Sequence, residues 1–207
     1  MKLVLAALAF AVCCLSSTPT HAAQPAVQSE SYDQMMTQSD GIIEGFVDKL
    51  WTQTDDYFHH GDYPRIIGLD RIITQADPRF VECYSTGGWL MDSLGRTSDA
   101  EAFYQEACRN NPDSSPAYYS LGMFYYGSLH DYGAAVAVYQ RDTANASADI
   151  NDWKMLAHSY ERIKELDRAV ATWKEIKRRW PNGPAVETNL NRVLALQRAG
   201  TGTSLKD

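Results

Sequence analysis

Histidine and cysteine are where chemistry would have to start in this chain of 207 residues. His59 and His60 are adjacent, and neighbours on a helix point about 100° apart, so they cannot form the i, i+4 pair that metal sites favour. A cation near a helix C-terminus is the simpler role for them. His130 and His158 stand without a ligand partner at motif spacing. Asp55, Asp56 and Asp62 form an acidic group that turn-capping explains. Cys83 and Cys108 have no histidine at the spacing of a nucleophilic pair. The chain has no phosphate loop, no Gly-Xaa-Ser-Xaa-Gly, no His-Glu-Xaa-Xaa-His and no zinc cysteine pattern. Asn145-Ala146-Ser147 is a glycosylation sequon only in a eukaryotic host. The expectation is therefore no enzyme, no cofactor and no metal site, and a function carried by surfaces.

The elements that would position those surfaces show as a period. In a frame that starts at Ile150, Trp153, Leu156, Ala157 and Tyr160 are followed by Ala169, Trp173, Ile176 and Pro181. A copy starting at Ser115 has Tyr118, Leu121, Gly122 and Tyr125, then, after one inserted residue, Ala135 and Tyr139. Val81 starts a third copy with Tyr84, Gly88, Met91, Gly95, Ala100, Tyr104, Ala107 and Pro112. Val47 starts the earliest, with Leu50, Tyr57, Gly61, Ile66, Ile73 and Pro78. Small residues recur where helices would approach most closely, large ones beside them, and proline where a helix would stop.

Four copies in phase, 34, 34, 35 and 34 residues long, resemble the tetratricopeptide repeat family. The resemblance implies an all-α fold: a right-handed superhelical solenoid of four helix-turn-helix repeats, at about 47–80, 81–114, 115–149 and 150–183, inside a domain at 39–199. Residues 184–199, with Val186, Leu190, Val193 and Leu194 on one stripe, would cap it, and 200–207 would fray as a tail. Two copies depart from the pattern. The first has Gln53, Thr54 and Asp70 at positions that want two core residues and an aromatic, and the third has Asp142 and Ser147 near the places of an apolar residue and the proline.

The ends carry other signals. Lys2, an apolar run from Leu3 to Leu15 and the Thr20-His21-Ala22 site have the layout of a secretory signal peptide at 1–22, so a periplasmic or secreted location is expected. A lipoprotein anchor at Cys13 or Cys14 is a poorer fit, because the residues preceding them suit that signal badly. The run is too short for a transmembrane helix. Residues 23–38 read as a flexible leader, with the first helix starting near Ser39 or Asp40. Charge is uneven: the whole chain carries a net charge of −7, yet residues 150–183 hold eight basic and five acidic side chains. Lys174, Lys177, Arg178 and Arg179 suit a helix C-terminus, and the acidic balance elsewhere argues against nucleic acid.

Within the repeat frame Cys83 lies early in a first helix and Cys108 late in the second. Antiparallel packing would bring those ends together. A disulfide worth on the order of 3 kcal/mol in an oxidising compartment, or two buried thiols, both fit. The resemblance also implies a concave groove lined by first helices. Carried onto this chain, it offers Trp51, Asp55, Phe58, Glu82, Trp89, Asp92, Tyr119, Met123, Tyr126 and His158 as partner-binding residues. The lysine, arginine and asparagine clamp that chaperone-binding members use for a terminal carboxylate is missing, since Trp51, Asp55, Thr86 and Glu82 occupy its places. The implied function is a non-catalytic protein–protein scaffold that takes a peptide segment with apolar anchors and basic residues. Two alternatives remain open: a homo-oligomer built by acidic and basic ends, and a carrier of a small apolar ligand.

Overall fold

The computed structural model describes the backbone of residues 27–203 and the side chains of residues 34–199. Residues 1–22, where a signal peptide is expected, residues 23–26 of the expected leader and the last four residues lie outside the described part. The chain divides into two units, Met1–Asp40 and Gly41–Asp207.

In the first unit the leader is a correction. Helix α1 runs Val27–His59, so helix begins well before Ser39. Residues 27–40 contain neither glycine nor proline, and Glu, Gln and Met favour helix there. Ser39 does not cap; its hydroxyl donates to the Met35 carbonyl one turn back at 2.9 Å, as a mid-helix serine does.

The second unit is a series of helical hairpins. In the C-terminal part of α1, Val47 packs with Ile73 of α2 (Tyr63–Ala76), while α3 (Val81–Ser93) pairs with α4 (Thr97–Asn110), α5 (Ser115–Met123) with α6 (Tyr132–Asp142), and α7 (Ile150–Arg162) with α8 (Leu166–Arg179). Helix α9, Val186–Thr203, lies against α8 and runs past the expected end at 199 into the expected tail. Three of the hairpins close through the same backbone bond. The Asp62, Arg96 and Glu165 N–H groups donate to the Tyr57, Met91 and Tyr160 carbonyls at 2.9, 2.8 and 3.0 Å. The residue just before each donor has positive φ: Gly61 (69°), Gly95 (75°) and Lys164 (65°). Only the first two escape the steric cost of that conformation.

The third hairpin explains the inserted residue. Beyond α5 the chain makes a π-turn over Phe124–Ser128, with the Leu129 N–H donating to the Phe124 carbonyl five residues back at 3.1 Å. The closing bond then runs from Asp131 to Tyr125 at 2.9 Å, one residue longer than in the other repeats, with His130 at φ 53°. The extra residue is absorbed within the first helix, so the second helix returns to phase.

Small residues do sit under large ones. A Cβ on Gly88 would stand 2.5 Å from the Tyr104 ring, and one on Gly122 would meet the Tyr139 ring as closely. Ala157 is likewise buried in the cluster that holds Trp173. The core runs through the repeats and ends in that cluster, where Leu156, Trp173 and Ile176 meet Val186, Leu190 and Val193 of α9. Each such large side chain withdrawn from water contributes about 1.5–3 kcal/mol. That burial is why α9 completes the solenoid rather than extending from it.

Cys83 and Cys108 are free and buried, the second of the two arrangements left open by the sequence. The helix ends do come together, but the side chains leave the hairpin on opposite sides. Cys83 packs with Val47 and Ile73 of the first repeat, whereas Cys108 joins the cluster of Tyr118 and Leu121 of the third.

Candidate functional site

The groove residues are placed by the first helices: α1 from Val47 onward, α3, α5 and α7. On each, the face turned away from the second helix is free to carry side chains that the core does not need. Two clefts open on this face. One, of about 490 Å³, is lined by Trp51, Thr52, Thr54, Asp55, Phe58, Ile66 and Thr86. The other, of about 370 Å³, is lined by Tyr119 and Ser120 together with Ser115, Pro116, Asn151 and Asp152 and the rim residues Ser147 and Asp149. A hydrogen bond of 2.8 Å between the Ser85 and Ser120 hydroxyls ties α3 to α5 along the face.

The ten predicted residues therefore do not form one pocket. Trp51, Asp55 and Phe58 come together in the first cleft, with Trp51 tilted against Phe80 at 5.3 Å and Asp55 3.6 Å from His59. Tyr119 enters the second cleft, edge-on to Tyr139 at 6.3 Å. Trp89 lines neither; it stands 54% exposed on α3, with Glu82 exposed on the same helix. Asp92 is half-buried and accepts a hydrogen bond from the Thr97 hydroxyl at 3.1 Å. Met123 is exposed, and Tyr126 leans edge-on against Tyr132 at 5.2 Å.

His158 belongs to a structural network rather than to an open groove. Its ring meets Trp173 edge-on at 5.1 Å, and its Nδ1 is 3.3 Å from Glu161. Glu161 also accepts from Trp173 Nε1 at 3.0 Å and from Arg192 of α9 at 2.6 and 3.0 Å. Burial pushes the Glu161 carboxyl up, but the bonds from His158, Arg192 and Trp173 outweigh it and hold the group at about 2. This carboxylate fastens the cap.

Several groups escaped sequence reasoning. Asp70 is fully buried, neither of its carboxyl oxygens has a hydrogen-bond partner among nitrogen and oxygen groups, and burial raises it to about 7. Asp142 is also fully buried, beside Ser115 and Asp152. Both had already shown themselves as departures from the repeat frame, and that is the signal that could have marked them. On the second-helix side, a cleft of about 520 Å³ is lined by Cys108, Tyr118, Leu121, Val138, Arg109 and Arg141. Burial above all raises the Cys108 thiol, to about 12, and the Cys83 thiol higher still, so both stay protonated and unreactive. Among the described residues no group of three or more histidine, cysteine, aspartate or glutamate side chains is placed to hold a metal ion. No described helix is long and apolar enough to cross a membrane.

Stacked helical hairpins with small-under-large contacts and a first-helix face left to surface residues define a helical-repeat fold of the tetratricopeptide type. Solved structures share this fold. MamA matches with a TM-score of 0.56 and 21% identity over 70% of this chain and 84% of MamA. TTC0263 of Thermus thermophilus, a thermophilic TPR protein, matches at 0.53 and 18% identity over 70% of this chain and 80% of its own. YrrB, described as a TPR protein with an unusual peptide-binding site, matches at 0.53 and 14% identity over 70% and 74%. No family model matches the sequence, and no curated protein matches it.

Proposed function

We propose that this protein is a non-catalytic scaffold whose first-helix groove binds a peptide segment with apolar anchors and basic residues. The observation that carries the reading is Trp89, a tryptophan 54% exposed at the middle of the face, where the core gives it no work. Exposed aromatic side chains of this kind dominate binding energy when a partner covers them. The first cleft adds two aromatic walls, Trp51 and Phe58, and the Asp55 carboxylate. Glu82 and Asp55 supply the acidic side that favours a basic partner. The peptide-binding site in the description of YrrB supports the general class of activity. Export to the periplasm or secreted space is part of the proposal and rests on the Lys2 to Ala22 pattern.

Assembly through acidic and basic ends is a weaker reading. Arg178 and Arg179 pair with Glu175, Lys177 with Glu187, and Arg168 with Glu165. These cations are answered within their own end of the molecule.

Selection from a random linear peptide library on the immobilised protein tests the groove. Enrichment of peptides combining aromatic or aliphatic residues with lysine or arginine, lost on a Trp89→Ala, Tyr119→Ala variant of unchanged helix content, is the expected result. Enriched peptides that bind the variant equally well would overturn the assignment.

A further inference from the structure

At the joint between the third and fourth repeats, Ser115 opens α5, Asp142 closes α6 and Asp152 lies in the first turn of α7; all three are buried. Ser115 Oγ is 2.5 Å from Asp142 Oδ1 and 2.9 Å from Asp152 Oδ2. A hydroxyl has one proton to donate and can serve only one of those oxygens. The same Asp152 oxygen accepts the Asp149 backbone N–H at 2.5 Å, within the capping box of α7, which commits it to accepting. If Ser115 donates to Asp152, Asp142 must itself carry a proton and donate it to Ser115 Oγ. With both carboxyls ionised, one of the two short contacts would set lone pair against lone pair.

The surroundings offer no replacement. From α5 comes Tyr118, whose hydroxyl is buried without a partner, and from α6 Tyr139, in the same condition. From α7 come Asp149 and Asp152, both negative when ionised. Tyr119 of α5, Cys108 of α4 and Asp113 of the preceding turn complete the titratable neighbours. Ser147 accepts the Ser115 N–H at 3.3 Å and donates its own hydroxyl to the Asp113 carbonyl at 3.0 Å, so it is spent. The cation beside the cluster, Arg141, lies over the Tyr118 ring at 5.4 Å.

We propose that one proton shared between Asp142 and Asp152 through the Ser115 hydroxyl latches the third repeat to the fourth, and that its loss loosens the joint. The latch works near neutral pH: burial first, then the Asp152 and Asp149 charges, raise Asp142 to about 7 against a counter-pull from Ser115. Burial raises Asp152 as well. Ser115 and Asp152 also line the cleft of Tyr119 and Asn151, so the latch controls the shape of half the first-helix face. This consequence for binding rests on the groove reading; the latch itself does not.

Hydrogen exchange of the full chain from about pH 6 to about pH 8.5, corrected for intrinsic exchange rates, tests the latch. Protection of residues 142–152 should fall about tenfold in the wild type and stay level in Asp142→Asn, which mimics the protonated form; α9 should respond alike in both. An equal fall in both proteins, or no fall in the wild type, would overturn the latch. Should Asp142→Asn fail to fold, ¹³C titration of the wild-type carboxyls decides. One of the two groups titrating above about pH 6 supports sharing, and both titrating below about pH 5 refutes it. A pH-dependent latch without any change in peptide binding would leave the latch standing and count against the groove.

Discussion

Replacing Asp70 with asparagine should flatten the stability of this protein against pH. Asp70 stands where the other repeats have Tyr104, Tyr139 and Trp173, fully buried and facing Gly87, at which an added Cβ would lie 3.1 Å from Asp70 Oδ2. Burial, opposed by a hydrogen bond from the Cys83 thiol, raises its carboxyl from 3.8 to about 7. Because the folded state holds the proton more tightly, the stabilisation is complete below the unfolded value and is lost as pH rises through the folded one. About three pKa units at roughly 1.4 kcal/mol each set an upper limit of about 4 kcal/mol on that loss. Asparagine has the same shape and no proton to lose. Urea unfolding of wild type and Asp70→Asn, at intervals from about pH 4.5 to about pH 7.5, reads the slope directly. Asp142→Asn, measured alongside, separates the contribution of the latch. Staying above pH 4.5 avoids Glu161, which works the other way: its depressed carboxyl stabilises above the ordinary range and loses that effect as pH falls toward about 2. An Asp70→Asn slope equal to that of the wild type would refute the reasoning.

Three further outcomes follow from the packing. Gly122→Ala forces a methyl into the buried Tyr139 ring and should lower stability by about 1–3 kcal/mol, whereas Gly45→Ala, which meets nothing within 4 Å, should raise it by up to about 1 kcal/mol. Thermal melting of the two variants checks the contrast. Glu161→Gln removes the charge that ties Arg192 and Trp173 together, so melting should fall and exchange in α9 should rise ahead of the other helices. Adding a thiol reductant should leave the melting temperature unchanged; a fall of several degrees would show a Cys83–Cys108 bond after all.

How far the residues foretold the molecule depends on whether a feature is local. Gly88 under Tyr104 and Ala157 near Trp173 were legible because a small residue matters only relative to a large one at fixed spacing. The single inserted residue showed as a slip of phase before Ala135, but nothing in Phe124–Ser128 marks it as a π-turn. Asp70 and Asp142 stood out as errors in the pattern. Their burial depends on neighbouring repeats, and so does the proton arithmetic at Ser115. Helix over 27–38 was missed because its apolar period is weak, although its composition suits a helix. The groove residues could be assigned to a face. Which of them share a cleft is set by the stacking of one repeat on the next, so Trp51 and Phe58 meet while Trp89 stands apart and His158 is drawn under Glu161. The frame left two readings of Cys83 and Cys108 open for the same reason: it gives height along a hairpin, and a bond needs direction.

The central claim is that the first-helix face binds a peptide, and the direct measurement is the affinity of a selected peptide for the wild type, for Trp89→Ala and for a variant at an exposed second-helix residue such as Ile72→Ala. The account predicts a loss of at least about tenfold for Trp89→Ala, since an anchoring tryptophan is worth more than about 1.4 kcal/mol, and no change for Ile72→Ala. Undiminished affinity in Trp89→Ala, or an equal loss in both variants, would contradict it.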